Sequence, residues 1–177
     1  LDSMIEAAGI NLEDFYPSLL NVNRYNDQLH GLPVSTNNLE LFINRDLFVA
    51  AGLDPDQPPT TWDELSAAAQ QCANPDEGVL GMELYTQPGE GLTWQFQVYL
   101  WQAGGQFLTE DNSAAAFNTE AGLQALDFWK HLIDDGGSAL VPWGLFDQGK
   151  ACMRMDGSWM VGVFGEQAPF AFSVAAM

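Results

Sequence analysis

Basic side chains are scarce in this sequence. Five of them, Arg24, Arg45, Lys130, Lys150 and Arg154, stand against 24 aspartates and glutamates in 177 residues, giving a formal net charge of −19. Such a surface repels phosphate backbones and anionic membranes, which sets nucleic acid aside as a partner. It suits a secreted or salt-exposed protein that must stay soluble. Histidine is scarcer still: His30 lies beside a turn and His131 on a long helix, neither with an evident catalytic partner. The two cysteines, Cys72 and Cys152, have no metal-site spacing and no neighbouring histidine, which argues against zinc. They are either ordinary core thiols or, in an oxidising compartment, a disulfide. No apolar run approaches the roughly 18 to 20 residues of a membrane-spanning helix. The chain starts at Leu1 in mid-pattern, and the expectation is an excerpt from a longer polypeptide.

Catalytic signatures are missing as well. There is no GxSxG, no HExxH, no Walker motif and no dinucleotide-type glycine pattern. With 24 carboxylates on an acidic surface, any pair chosen as a glycosidase acid and nucleophile carries no information. No catalytic residue, metal or cofactor is therefore expected. A glycoside-active enzyme and an adhesive surface protein are the rival classes to a binding module.

What the sequence does contain is core material. Hydrophobic residues make up 47% and aromatics 12%, which rules out disorder. Residues 1 to 20 read as a short helix and turn ending at Tyr16 and Pro17. "RYNDQLHGLPV" reads as a strand, a turn at Asn26 and Asp27, and a returning strand that reaches Pro33. "STNN", residues 35 to 38, interrupts extended chain without reversing it, and "LELFIN" continues as a strand. From there helices and strands alternate. A short helix ends at Gly52, and Thr61 with Glu64 has capping-box spacing for the next. "GVLGMELY" is a strand, "GEGLTWQFQVYLWQ" a helix, and "TEAGLQALDFWKHLIDDGG" a helix with Leu123, Leu126, Trp129 and Ile133 as its apolar stripe. "GKACMRM" and "FAFSVAA" are further strands. The alternation predicts an α/β lobe with helices on a sheet, and ligands in such folds sit at strand ends.

The tryptophans separate by context. Trp62 and Trp129 lie on amphipathic helices and read as core, as does Trp101, which shares a helical face with Trp94 and Val98. Trp94, in the first turn after "PGEGLT", and Trp159, behind Gly157 at a strand end, are open to either a packing or a cleft role. Trp143 lies in a loop between Pro142 and Gly144. Exposed indole faces stack on the C–H faces of sugars, and Asn37, Asn38, Asp156 and Ser158 are candidate partners for the hydroxyls. Arg154 and Asp156 alternate onto one strand face and are expected to pair.

Three segments carry a family resemblance. "YNDQLHGLPVSTNNLELFINRDLFVAAGLDPDQPPTTWDEL" (25–65), "FNTEAGLQALDFWKHLIDDG" (117–136) and "FDQGKACMRMDGSW" (146–159) resemble, in the right order, the extracellular solute-binding proteins of family 1, the carbohydrate-type receptors of ABC importers. The resemblance implies an α/β, periplasmic-binding-protein type II-like fold in which two lobes close on a sugar. Residues 1–35 would be the tail of the first lobe and 36–177 the second lobe, with a crossing at Ser35–Asn38 and a return crossing around Val174–Met177.

Carried over by position, Trp159 is similar to the family's stacking aromatic, and Trp94 lies near a second one. Asn37 and Asn38 fall on the hinge segment lining the cleft, and Gly157 lets the backbone approach the ligand. The implied partners are a carbohydrate and a membrane permease, with a monomer in the periplasm or lipid-anchored outside the cytoplasm. The "GLDPDQPPTTWDEL" stretch also resembles receptors for glycerol 3-phosphate and glycerophosphodiesters, the alternative ligand class.

Overall fold

A computed structural model describes residues 1–176. Met177, the last residue of the expected return crossing, lies outside the described residues. The chain divides into two compact units, Leu1–Asn38 and Leu39–Met177.

The small unit holds helix α1 (Asp2–Ala8), a 3-10 turn (Leu12–Asp14), helix α2 (Pro17–Asn21) and a two-stranded ribbon of β1 (Arg24–Tyr25) and β2 (Gln28–Leu29). Pro17 starts α2 and does not end a helix: at the first helical position its missing N–H has no intrahelical carbonyl to lose. Asn26 and Asp27 make the expected reversal, both with positive φ, as a two-residue hairpin turn requires. The returning strand stops at Leu29 and does not reach Pro33, because Gly31 and Pro33 offer the ladder little. Ile5, Leu20 and Leu29 form the core of this unit.

The large unit is built on a four-stranded sheet of order β4-β5-β3-β6, from β3 (Leu39–Asn44), β4 (Leu80–Glu83), β5 (Ala151–Gly157) and β6 (Phe172–Ala175). β4 runs parallel to β5, while β3 is antiparallel to β5 and β6. β5 is buried along its whole length. Leu41, Ile43, Met82, Met153 and Met155 face helices α3 (Arg45–Ala50), α4 (Trp62–Cys72), α5 (Glu90–Gln102) and α6 (Glu120–Asp134). Phe42 faces the other way, into a smaller aromatic cluster with Phe146 and with Phe164 of α7 (Met160–Gln167). Each such side chain, fully buried, stabilises the fold by roughly 1.5–3 kcal/mol.

Helix α4 begins as its sequence predicts. The Thr61 hydroxyl accepts the Glu64 amide at 3.2 Å, and Glu64 in turn accepts the Thr60 and Thr61 amides at 2.8 and 3.2 Å. It lies almost backbone to backbone on β4: a Cβ at Gly81 would collide with the Ala69 carbonyl. Its last residue, Cys72, is disulfide-bonded to Cys152 of β5, which resolves the open question about the thiols.

Two helix faces differ from expectation. On α6, Leu123 and Leu126 are 52% and 55% exposed, and the buried line is Gly122, Ala125, Phe128, Trp129 and Leu132. The helix is rotated because small residues at 122 and 125 admit close approach, which carries the large rings at 128 and 129 into the core. Leu123 and Leu126 instead line a surface groove with Phe96 and Phe117. On α5 the buried residues are Gln95, Tyr99 and Leu100, leaving Trp101 half exposed where core was expected. Trp129 is buried, and Trp62 stacks on Phe128 at 4.7 Å while its N–H reaches Gln102.

Candidate functional site

β5 runs three residues beyond the residue paired with the end of its parallel neighbour β4, and each strand is followed by aromatic side chains. β5 gives way at Gly157 to Ser158, Trp159 and helix α7. Trp159 is 46% exposed and stacks on half-buried Trp94 of α5, with ring centroids 5.2 Å apart and planes inclined by 26°. The pair already lies at aromatic contact distance, which leaves no room for a further ring between the two indoles.

Gly157 is needed for that pair. A Cβ at this position would fall inside the indole of Trp159, so the ring is seated over the bare Cα of the residue two before it. The close approach is by the protein's own side chain, a more specific reason for glycine than the approach of a ligand.

Trp94 is held from below by its neighbour. Gln95 is buried, donates its side-chain amide to the Met155 carbonyl at 2.8 Å and accepts the Tyr85 N–H at 3.1 Å. One side chain thus ties the start of α5 to the ends of both strands.

Beneath the platform lies a charge cluster centred on Arg154. Its guanidinium is 2.9 Å from Asp147, 3.4 Å from Glu83 and 2.5 Å from Asp156. Asp156 is buried, and its second oxygen accepts the Gly157 amide at 2.8 Å. The fully buried carboxylate of Glu83 also accepts the amides of Gly144, Leu145 and Phe146 at 2.7, 2.6 and 3.1 Å. It therefore shapes the 143–147 loop. That loop lays Trp143 over the guanidinium at 4.3 Å and in a T-shaped contact with Tyr85 at 5.1 Å.

The expected pairing of Arg154 with Asp156 is present; Glu83, Asp147, Tyr85 and Gln95 were not singled out by sequence. Glu83 carried a signal that could have been used. A lone charge inside the apolar strand "GVLGMELY" must be paired if that strand is buried. Ser158 is half buried between Gly157 and Trp159. Asn37 and Asn38, both exposed, end the small unit just before β3.

The family model for bacterial extracellular solute-binding proteins matches residues 1–177. The chain belongs to that family. It is similar to the cyclic α-maltosyl-1,6-maltose binding protein of Arthrobacter globiformis, at 50% identity and a TM-score of 0.85 over 93% of this chain and 42% of that one. It is 28% identical to a putative binding protein of Brucella abortus, over 92% of this chain and 41% of the relative. The sn-glycerol-3-phosphate-binding periplasmic protein UgpB of Salmonella typhimurium is 40% identical over a shorter stretch, 37% of this chain.

The chain thus spans less than half the length of these relatives. Its fold is that of the type II periplasmic sugar-binding proteins, as the three sequence segments imply. The relatives are binding proteins, and the family's description places its members outside the cytoplasm. A buried disulfide fits such an oxidising setting.

Proposed function

We propose that the chain forms the ligand-platform lobe of the extracytoplasmic substrate-binding subunit of an ABC importer, and that its ligand is a mono- or oligosaccharide. The carrying observation is the half-exposed Trp94–Trp159 stack at the ends of two parallel strands. A sugar ring lies flat on the exposed indole surface, and Ser158 and the neighbouring backbone offer hydrogen bonds to its hydroxyls. Asp156 acts on the platform through Gly157, whose amide it accepts. Asn37 and Asn38 lie on the crossing segment that, in the full-length protein, flexes when the lobes close. Closure follows from differential affinity: the sugar contacts more protein in the closed form, and the permease recognises that form. The protein acts as a monomer and releases its ligand unchanged.

Glycerol 3-phosphate is the second reading, supported by the 40% identity with UgpB. The charge cluster weighs against it. Arg154, the cation nearest the platform, is buried and engaged by three carboxylates, which a phosphate would have to displace. The 50% identity with a cyclic α-maltosyl-1,6-maltose binding protein favours the saccharide.

The test is intrinsic tryptophan fluorescence of the full-length protein, titrated with maltose, cyclic α-maltosyl-1,6-maltose and sn-glycerol 3-phosphate, beside Trp159→Ala. A saturable change with a saccharide, weakened in the variant by at least ~1 kcal/mol as for a buried aromatic anchor, is expected. A saccharide bound equally well by the variant would sink the platform, and saturation by the phosphate alone would sink the ligand class.

A further inference from the structure

We infer that Glu40 sets the charge preference of the platform: its carboxylate, which has no cation of its own, keeps anionic ligands away from the exposed indoles. This reading rests on the platform and saccharide proposed above. Glu40 is the second residue of β3 and lies directly opposite Asp156 in the antiparallel ladder with β5. Side chains so paired share one face of the sheet, about 5 Å apart at Cβ, where like charges repel and destabilise. The Arg154 guanidinium belongs to the same face, but Asp156, Asp147 and Glu83 already share it. Glu40 is therefore a fourth carboxylate beside one cation. It is partly buried, with no hydrogen bond or ion pair of its own among the described residues.

The other cations of the large unit stand elsewhere. Arg45 opens α3 beyond the far end of β3 and pairs with Asp56, Lys150 precedes the far end of β5, and Lys130 pairs with Asp134 on α6. A second carboxylate near the platform, Glu90, has an ordinary reason for its place: it lies in the first turn of α5, where the helix dipole favours an acid. Glu40 has no such reason. A strand position opposite Asp156 would accept a neutral residue without repulsion. An unpaired charge kept there at a cost in stability fits discrimination, since it penalises a ligand of like sign more than a neutral one.

The register puts this charge within range of the platform. Leu39 is opposite Gly157, so Glu40 is the diagonal neighbour of the glycine on whose bare Cα the Trp159 indole is seated. With neighbouring strands about 4.8 Å apart and a rise of about 3.4 Å per residue, the two Cα atoms are roughly 6 Å apart. Unscreened charge acts over about 8 Å at physiological ionic strength. The carboxylate thus affects a ligand on the indole through its field, with no need to touch it or to share its face of the sheet.

The first test needs no ligand. Tryptophan fluorescence of the full-length wild type and Glu40→Gln is quenched with iodide, caesium and neutral acrylamide, and the Trp159 component is taken as the difference from Trp159→Phe in each background. Caesium should quench Trp159 of the wild type more than iodide does, relative to acrylamide. Glu40→Gln should reduce that ratio roughly twofold at 0.15 M salt. The second test is calorimetric titration of both proteins with maltose and with maltobionate, its carboxylate-bearing oxidation product. The preference for maltose should narrow roughly fivefold in Glu40→Gln at 10 mM salt, and by less at 0.5 M. Opening of the reducing-end ring is common to both proteins and drops out of the comparison.

A quenching ratio unmoved by the substitution, beside normal maltose binding, refutes this inference alone. Equal weakening of both sugars overturns it too, since Glu40 would then touch the sugar or support the fold. A wild type that binds neither sugar, with the quenching ratio still shifted, refutes the saccharide reading and supports the charge assignment. Should Glu40→Gln not fold, the wild type decides: iodide quenching Trp159 as well as caesium does would overturn the assignment.

Discussion

Replacing Gly157 with alanine separates the platform from the stability of the fold. The residue lies at the end of β5, paired with Leu39, and its φ is outside the left-handed region, so the backbone accepts alanine. Restricting the unfolded chain in this way gains about 0.4–1 kcal/mol. The new Cβ, however, would occupy the place of the Trp159 indole, which must swing away from Trp94. Losing an aromatic stack of this kind costs about 0.5–1.5 kcal/mol. The two effects nearly offset, and the urea midpoint should shift by less than the equivalent of ~1 kcal/mol.

Binding has no such offset. A platform that has turned away forfeits an anchor of at least ~1 kcal/mol, or roughly fivefold in affinity for the proposed saccharide. Calorimetric titration of the full-length protein reads the affinity, and the exciton couplet of the paired indoles in circular dichroism reads the stack. Wild-type affinity with the couplet intact would show that the ring is not seated on Gly157. A collapse of stability along with binding would refute the compensation.

The Cys72–Cys152 bridge spans 80 residues, for which chain entropy gives about 4.5 kcal/mol; reduction or a Cys72→Ser/Cys152→Ser double variant should lower the urea midpoint accordingly. Leu132→Ala, in the core face of α6, should cost about 2–5 kcal/mol, whereas Leu126→Ala on the exposed face should stay within about 0.5 kcal/mol, both by urea denaturation. The Thr109 and Ser113 hydroxyls hold the Asp111 carboxyl down to about 2, below its ordinary 3.8. A depressed carboxylate contributes its stability fully above the ordinary range and loses it as pH falls through about 2. A carboxyl-carbon NMR titration should therefore place the Asp111 midpoint near 2, and Thr109→Ala should raise it.

Much of the fold was legible because its signals are local. The Thr61–Glu64 box, the Asn26–Asp27 reversal and the strand at Leu39–Asn44 each depend on residues within a few positions of one another. The misread faces are tertiary. Periodicity alone cannot choose between a stripe of Leu123 and Leu126 and one of Gly122, Ala125 and Phe128 on the same helix. The choice is made by how closely α6 can approach its neighbours, and small residues win it. Trp101 was misplaced because α5 turns Gln95, Tyr99 and Leu100 inward and leaves Trp101 on the opposite side. Pro17 was read as a stop because a proline ends a helix it follows, yet it also opens one.

The site divides along the same line. Trp159 behind Gly157, and the pairing of Arg154 with Asp156, could be read because strand alternation and a strand end fix them within six residues. Glu83 lies 71 residues from Arg154 and 61 from Gly144, and only the parallel pairing of β4 with β5 brings them together. That distance in sequence hides the feature with most bearing on ligand class. Breaking a buried charge pair costs far more than making it gains, so Arg154 is held by its carboxylates before any ligand arrives. What the strand ends present outward is aromatic surface with its cation already engaged, which supports the proposed saccharide over a phosphate ester.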